Sequence, residues 1–181
     1  MRKSTVHAKN SIFEAVNEDK DITVSFTGHR EYDNSADGSI EESVRMLYKE
    51  GFRIFLCGMA RGFDLAAGEC VARLHDEFPE IKLKCIIPFR GQERSFSKND
   101  RERFMRLTES ADETIILADK YTARAYHHRN DFLVDNASAV VAFYNGEKGG
   151  THYTLHRAVK RGLRIHNICT HRIGELFNDV K

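Results

Sequence analysis

Short apolar runs alternate with longer amphipathic stretches along most of the chain. The apolar runs predict strands at 22–27, 53–57, 82–87, 113–117, 139–144 and 164–168. Strands that alternate with helices at this pitch form βαβ units with parallel pairing. Nearly continuous apolar strands fit a sheet that is covered on both faces. The sequence therefore predicts an α/β fold with a doubly wound, mainly parallel sheet in a three-layer α/β/α arrangement.

The intervening stretches carry apolar residues at three- and four-residue spacing, which is typical of helices with one buried face. The first predicted helix places Ile40, Val44 and Leu47 on one face, behind a possible capping box of Ser39 and Glu42. This spacing favours helices that pack against the sheet.

The chain contains no linker rich in proline, glycine or serine, and no internal repeat. We therefore expect a single domain over 22–181, preceded at 1–21 by a leader that is helical or only partly ordered. The polar N-terminal region lacks the apolar centre of a signal peptide. No apolar run approaches the roughly 18 residues that a membrane-spanning helix needs. These features predict a cytoplasmic protein without a membrane partner.

The composition narrows the class of protein further. The chain has 181 residues, of which 41% are hydrophobic and 30% are charged, and this excludes a disordered chain. A formal net charge of +1 argues against a protein that binds nucleic-acid phosphates over a large basic surface, although it allows a local basic groove. The four cysteines and nine histidines show no zinc-ligand spacing, so we expect reduced thiols and no metal site.

Ligands of open parallel sheets bind beyond the carboxyl ends of the strands. After the first predicted strand, Gly28 permits a sharp turn, and His29 and Arg30 follow it in a position to meet an anion. The alternative is a surface turn with a solvated arginine. We include all three residues in the candidate site.

The loop after the second predicted strand carries two glycines four residues apart, ahead of a helix for which Asp64 is the predicted N-cap. Such a turn exposes backbone N–H groups and suits phosphate, although the spacing is neither GxGxxG nor a P-loop. Asp64 would repel phosphate but could accept a hydrogen bond from a ribose hydroxyl. Glu69 faces the same cleft or lies on the solvent surface. The candidate ligand-binding residues here are Gly58, Met59, Ala60, Gly62, Phe63, Asp64 and Glu69.

A further glycine loop follows the fifth predicted strand. Gly149 and Gly150 lead into a helix that Thr151 could cap, and its hydroxyl could also bind a phosphate oxygen. Two glycine loops at the same edge of a sheet could hold one nucleotide-sized ligand. Gln92 follows the third strand and is a further candidate lining residue. The segment 90–106, with six basic and three acidic side chains, is either a nucleic-acid groove or a solvated face.

Three motifs in this order and spacing resemble those of one known family. They are SFTGHR at 25–30, CGMARGFDLAAGE at 57–69 and HRNDFLVDNASAVVAFYNGEKGGT at 128–151. They resemble the YpsA-like branch of the SLOG superfamily, which is named for DprA (Smf) and the LOG enzymes. The resemblance covers about 22–168 and implies a Rossmann-like sheet that binds a nucleotide or a nucleotide-derived molecule such as ADP-ribose or NAD. The resemblance does not firmly imply any cofactor.

The LOG enzymes hydrolyse the N-glycosidic bond of nucleoside monophosphates, using an arginine and a glutamate. Arg129 matches the arginine, whereas Thr154 stands at the glutamate position and cannot act as a carboxylate. Hydrolysis by this chain would need Asp64, Glu69 or Asp131 instead. The resemblance leaves single-stranded DNA binding of the DprA type as an alternative and, from LOG relatives, implies a homodimer.

Arg129 is the predicted phosphate ligand, with its neighbour Asn130 beside it in the family segment. No acidic residue lies three or four positions from Arg129, so its guanidinium is free to reach the glycine loops. The alternatives are a pair with Asp131, a pair with a carboxylate distant in sequence, or a solvated side chain. On the first interpretation, removing Arg129 weakens ligand binding and leaves the stability of the free protein nearly unchanged.

Overall fold

The computed structural model describes residues 6–7 and 19–169. Its strands are β1 (Val6–His7), β2 (Thr23–Gly28), β3 (Ile54–Cys57), β4 (Lys82–Ile87), β5 (Glu113–Ile116), β6 (Ala139–Phe143) and β7 (Arg164–Asn167). They form one sheet in the order β1-β5-β4-β3-β2-β6-β7, and every neighbouring pair is parallel. The six longer strands are the predicted ones, each within one residue of its predicted limits, and the predicted parallel α/β fold is confirmed.

Five α-helices connect these strands. They are α1 (Asp37–Lys49), α2 (Phe63–Leu74), α3 (Lys98–Ser110), α4 (Ala125–Asp135) and α5 (Gly150–Lys160). From β2 to β5 the chain steps along the sheet in one direction, and from β5 to β7 it returns in the other. Because crossovers are right-handed, α1, α2 and α3 cover one face of the sheet, and α4 and α5 cover the other. The two directions diverge between β2 and β6, where ligands of such sheets bind.

The start of α1 differs from the prediction. The helix begins at Asp37, and no side chain caps it, so the predicted capping box of Ser39 and Glu42 is wrong. The Tyr32 hydroxyl accepts a hydrogen bond from the backbone N–H of Ala36 and donates one to Asp37. This aromatic side chain therefore makes the hydrogen bonds at the start of the helix, whose N-cap, Ala36, lies three residues before the predicted N-cap Ser39.

The predicted leader at 1–21 lies mostly outside the described residues. Two of its residues, Val6 and His7, form the edge strand β1, and a 3-10 turn at Lys20–Ile22 leads into β2. Two expectations are not tested by the described residues and stay predictions. They are the helical leader and the domain boundary at residue 181. Within the described part of the chain, no helix is long and apolar enough to cross a membrane.

Gly28, the last residue of β2, is fixed by the packing of an aromatic cluster. The Phe63 ring is fully buried, and it packs against the rings of Tyr32 and Phe143. A Cβ atom on Gly28 would lie 2.4 Å from this Phe63 ring. The end of β2 and the start of α2 can approach each other this closely only because residue 28 has no side chain.

We expect Gly28→Ala to lower the free energy of unfolding by about 1–3 kcal/mol, the usual effect of overpacking a core. Gly38→Ala is the matched control, because a Cβ there meets nothing within 4 Å and the residue is helical. Urea unfolding measures both variants. Equal stability of Gly28→Ala and the wild type would contradict the packing described here.

Candidate functional site

A cleft of about 370 Å³ opens at the carboxyl edge of the sheet, between the loops that follow β2 and β6 and the face of α4. Its lining residues are Thr27, Gly28, His29, Arg30, Ala60, Asp64, Tyr126, Arg129, Asn130, Leu133, Glu147, Gly149, Gly150 and Thr151. Three loops distant in sequence thus meet at one place, as the sequence predicts. We call this space the main cleft.

A buried ion pair forms part of the wall of the main cleft. Nη1 of Arg129 lies 3.5 Å from Oδ2 of Asp64, and the two side chains are only 6% and 5% exposed. The alternative in which Arg129 pairs with a distant carboxylate is therefore the one found. Nη1 makes this charge contact but has no hydrogen-bond partner among the described residues. One nitrogen of the guanidinium therefore lacks a hydrogen-bond partner within the wall of the main cleft.

Gly58 makes room for this ion pair. A Cβ at this position would lie 2.5 Å from Nη1 of Arg129 and 2.7 Å from Oδ2 of Asp64. Gly58 does not line the main cleft. Its contribution is therefore the space that the two charged groups occupy, rather than the phosphate contact expected from the glycine-rich loop.

Gly62 lets the loop after β3 pass against the loop after β2. Its φ is +78°, and a Cβ there would lie 2.3 Å from the carbonyl oxygen of Arg30. The backbone N–H of Phe63 donates to the carbonyl of His29 at 3.2 Å and fastens the two loops together. Gly62 precedes α2, so the predicted N-cap role of Asp64 is wrong. Asp64 lies inside the first turn, where Oδ2 accepts a hydrogen bond from the N–H of Ala60 at 3.3 Å.

The N-terminus of α5 faces the main cleft with Gly149, Gly150 and Thr151. Gly149 is the N-cap and Thr151 lies within the first turn, so the predicted capping role of Thr151 is wrong. No side chain caps this end, and the first turn contains no acidic residue. Free backbone N–H groups and the positive end of the helix dipole at such a terminus favour an anion.

Asn130 connects the ion pair to this helix end. Its Oδ1 accepts a hydrogen bond from Nε of Arg129 at 2.8 Å, and its Nδ2 donates to the carbonyl of Gly150 at 3.4 Å. The Arg129 side chain is therefore held in place by α2 on one side and by α5 on the other.

Burial dominates the electrostatics of the pair. Removal from water raises the pKa of Asp64 to about 6, against the smaller opposing effects of Arg129 and the Ala60 N–H. Burial also lowers the pKa of Arg129, although the Asp64 carboxylate opposes this shift. Both shifts show that desolvation outweighs the attraction across a 3.5 Å contact.

Six predicted ligand residues lie outside the main cleft. Besides Gly58 and Gly62, Met59 and Phe63 are fully buried and belong to the core. Glu69 faces α3, where its carboxylate binds both Nε and Nη2 of Arg103 at 2.8 and 2.7 Å. The proposed place of Glu69 in the ligand cleft is therefore wrong, and this partner, distant in sequence, could not be predicted from spacing.

Gln92 lines a second cavity of about 220 Å³ beside the main cleft. The residues that line this second cavity are Arg30, Ala60, Arg61, Gln92, Ser95, Phe96 and Tyr126. Sequence reasoning missed four residues of the main cleft, which are Thr27, Tyr126, Leu133 and Glu147. Helical spacing from Arg129 could have found Tyr126 and Leu133, which lie three residues before and four residues after it.

Comparison with protein families and curated sequences gives consistent matches. The model described as the YspA SLOG family (YpsA) matches residues 24–173. The SPbeta prophage-derived protein YoqJ of Bacillus subtilis is 32% identical over 130 residues, which cover 65% of this chain and 76% of YoqJ. A UPF0398 protein of Bacillus velezensis is 29% identical over 126 residues, covering 68% of this chain and 69% of the relative.

Solved structures of DNA processing protein A (DprA) share the fold. The Streptococcus pneumoniae protein superimposes with a TM-score of 0.62 at 17% identity, covering 83% of this chain and 50% of that chain. The Helicobacter pylori protein, described for its single-stranded DNA binding mode, gives a TM-score of 0.59 at 15% identity, covering 83% and 66%. This chain thus spans half of the first protein and about two thirds of the second.

Substitution of Arg129 tests how much the buried ion pair matters for the stability of the ligand-free protein. We expect Arg129→Ala to lower the free energy of unfolding by about 3–5 kcal/mol, because it leaves the buried Asp64 without its counter-charge. The expectation from sequence of nearly unchanged stability assumed a free guanidinium and no longer holds. Arg103→Ala, which removes an arginine from a carboxylate pair between α2 and α3, is the control. A loss below about 1 kcal/mol for Arg129→Ala would contradict the buried pair.

The pKa of Asp64 predicts a pH dependence. Because the pKa is about 6 in the folded protein and 3.8 in the reference state, the folded state holds more protons between these values. The Asp64 contribution to stability is therefore lost as the pH rises from 4 to 7, by at most about 3 kcal/mol. Denaturant unfolding should show Asp64→Asn gaining stability relative to wild type over this range. A difference between Asp64→Asn and the wild type that stays constant over this range would contradict the shift.

Proposed function

Because the chain belongs to the YspA SLOG family, we propose that the main cleft binds a nucleotide or a nucleotide-derived small molecule of the ADP-ribose or NAD type. The observation that carries the proposal is the position of Arg129. It is buried, it keeps an unpartnered N–H group, and it lines the same cavity as the uncapped N-terminus of α5. A guanidinium and a helix N-terminus together form a phosphate site.

In this proposal a phosphate group lies between the first turn of α5 and the guanidinium of Arg129. The exposed side chain of Arg30 lines the same cleft and adds a second positive charge. Asp64 is the lining carboxylate nearest to Arg129 and accepts a hydrogen bond from a sugar hydroxyl.

The structure gives no support to a LOG-type hydrolase mechanism at the usual position. Thr154 is fully buried, and its hydroxyl donates to the carbonyl of Gly150 at 2.8 Å. Asp131 binds Tyr153 and Arg157 instead of lining the cleft. Of the three carboxylates considered from sequence, Asp64 alone lines the main cleft. Turnover would therefore depend on Asp64 or on Glu147, the other carboxylate of the main cleft, and binding without hydrolysis is the function we propose.

Nucleic-acid binding stays the second candidate because of the DprA-like fold. The second cavity adds Arg61 and the aromatic rings of Phe96 and Tyr126 to this edge of the sheet, a combination suited to single strands. The net charge of +1 argues against it. We also propose that the protein is cytoplasmic and that it forms a homodimer.

Calorimetric titration with AMP, ADP, ADP-ribose and NAD tests the proposal, with a ten-nucleotide thymidine strand as the alternative ligand. We expect one of the small molecules to bind, and Arg30→Ala to weaken that binding about tenfold or more, as for a lost charged hydrogen bond. Arg124→Ala is the matched control, because Arg124 is exposed at the start of α4 but lines neither cavity.

Three results would contradict this proposal. Binding of the strand alone, with a strong dependence on salt, would favour the nucleic-acid candidate. Release of free base from a bound nucleotide would show that the protein is a hydrolase. Equal affinity of Arg30→Ala and wild type for the bound molecule would remove the main cleft as its site.

A further inference from the structure

The second cavity adjoins the main cleft. Arg30, Ala60 and Tyr126 line both spaces, and the guanidinium carbon of Arg30 lies 5.1 Å from the centre of the Tyr126 ring. The main cleft, at about 370 Å³, lies near the lower end of the range of roughly 300–1,000 Å³ typical of small-molecule sites, and the second cavity adds about 220 Å³. One ligand with two distinct parts could therefore occupy both spaces.

Gln92 is the only side chain of the second cavity that is polar and almost fully buried, with 1% of its surface exposed. Its Nε2 donates a hydrogen bond to the carbonyl of Met59 at 2.9 Å. Its Oε1 is buried and has no hydrogen-bond partner among residues 19–169. A buried acceptor without a donor costs free energy, so its presence needs an explanation.

The loops after β3 and β4 fix the orientation of this amide. Met59 adopts a left-handed conformation, with φ at +58°, and its carbonyl receives the Gln92 amide. A flipped amide would place Oε1 against the Met59 carbonyl, so two acceptors would face each other. Gln92 therefore keeps Oε1 as its free group, and this oxygen can interact only with a donor.

The other side chains of the second cavity suit a flat group. Phe96 and Tyr126 provide half-buried aromatic rings, and Arg30 lies over the Tyr126 ring. Aromatic rings and guanidinium planes stack on flat heterocycles. The donor that Oε1 lacks and the flat surfaces beside it are both supplied by a nucleobase edge that carries N–H groups.

We propose that the second cavity is the base subsite of the ligand, and that Gln92 is a specificity-determining residue that accepts a hydrogen bond from the base. This inference rests on the proposed function, because the phosphate of the same nucleotide would occupy the main cleft. It extends that function by naming which part of the ligand each space holds and by requiring an N–H donor on the ring.

Calorimetry with ribose 5-phosphate and with AMP, CMP, GMP and UMP separates the two spaces. Ribose 5-phosphate reports on the main cleft, and the extra affinity of a nucleotide reports on the base subsite. For the wild type, we expect at least one nucleotide to bind at least tenfold more tightly than ribose 5-phosphate. Gln92→Met should reduce this preference at least fivefold and leave the affinity for ribose 5-phosphate unchanged.

Asn99→Met is the control, because it also replaces a carboxamide with a thioether, at an exposed position of α3 that lines neither cavity. Phe96→Leu is the second variant, and it should reduce the preference through the loss of the ring even if Gln92→Met fails to fold. The base subsite would be overturned if the folded variants kept the wild-type preference for a nucleotide over ribose 5-phosphate, or if the wild type showed no such preference. In either case, binding of ribose 5-phosphate would still support the main cleft as a phosphate site. If none of the five compounds binds, the proposed function fails and the subsite fails with it.

Discussion

The arrangement of the site depends on one buried ion pair at the carboxyl edge of the sheet. Asp64 belongs to α2 on one face of the sheet and Arg129 to α4 on the other, so the pair joins the two helical layers. Gly58 leaves the space in which they meet. Burying both charges costs more than a 3.5 Å contact returns, as the raised pKa of Asp64 indicates. A pair of this kind contributes little net stability, which agrees with the ligand-binding role that we propose for it.

The same geometry explains why the ligand would lie at this edge. The crossovers on the two faces of the sheet diverge between β2 and β6, which leaves a gap that no helix covers. The N-terminus of α5 and the Arg129 side chain meet in this gap, and Asn130 binds both of them. Positive charge, free N–H groups and two adjoining cavities are therefore concentrated in one place, which is the basis of the proposed nucleotide site.

Much of this architecture could be predicted from the sequence, because apolar runs and glycine loops are local signals. The six longer strands and the three converging loops follow from such signals. The partners of single side chains could not be predicted, because they depend on contacts distant in sequence. Glu69 binds Arg103, and Tyr32 replaces the expected cap of α1. The second cavity around Gln92 likewise appears only when the loops after β3 and β4 are placed side by side.

A crystal structure of the protein with bound AMP tests the central claim most directly. The account predicts phosphate oxygens at hydrogen-bonding distance, about 2.7–3.2 Å, from the guanidinium of Arg129 and from the backbone N–H groups of Gly150 and Thr151. It also predicts the adenine ring beside Gln92 and Tyr126. A phosphate bound elsewhere on the molecule, with this edge of the sheet empty, would contradict the account.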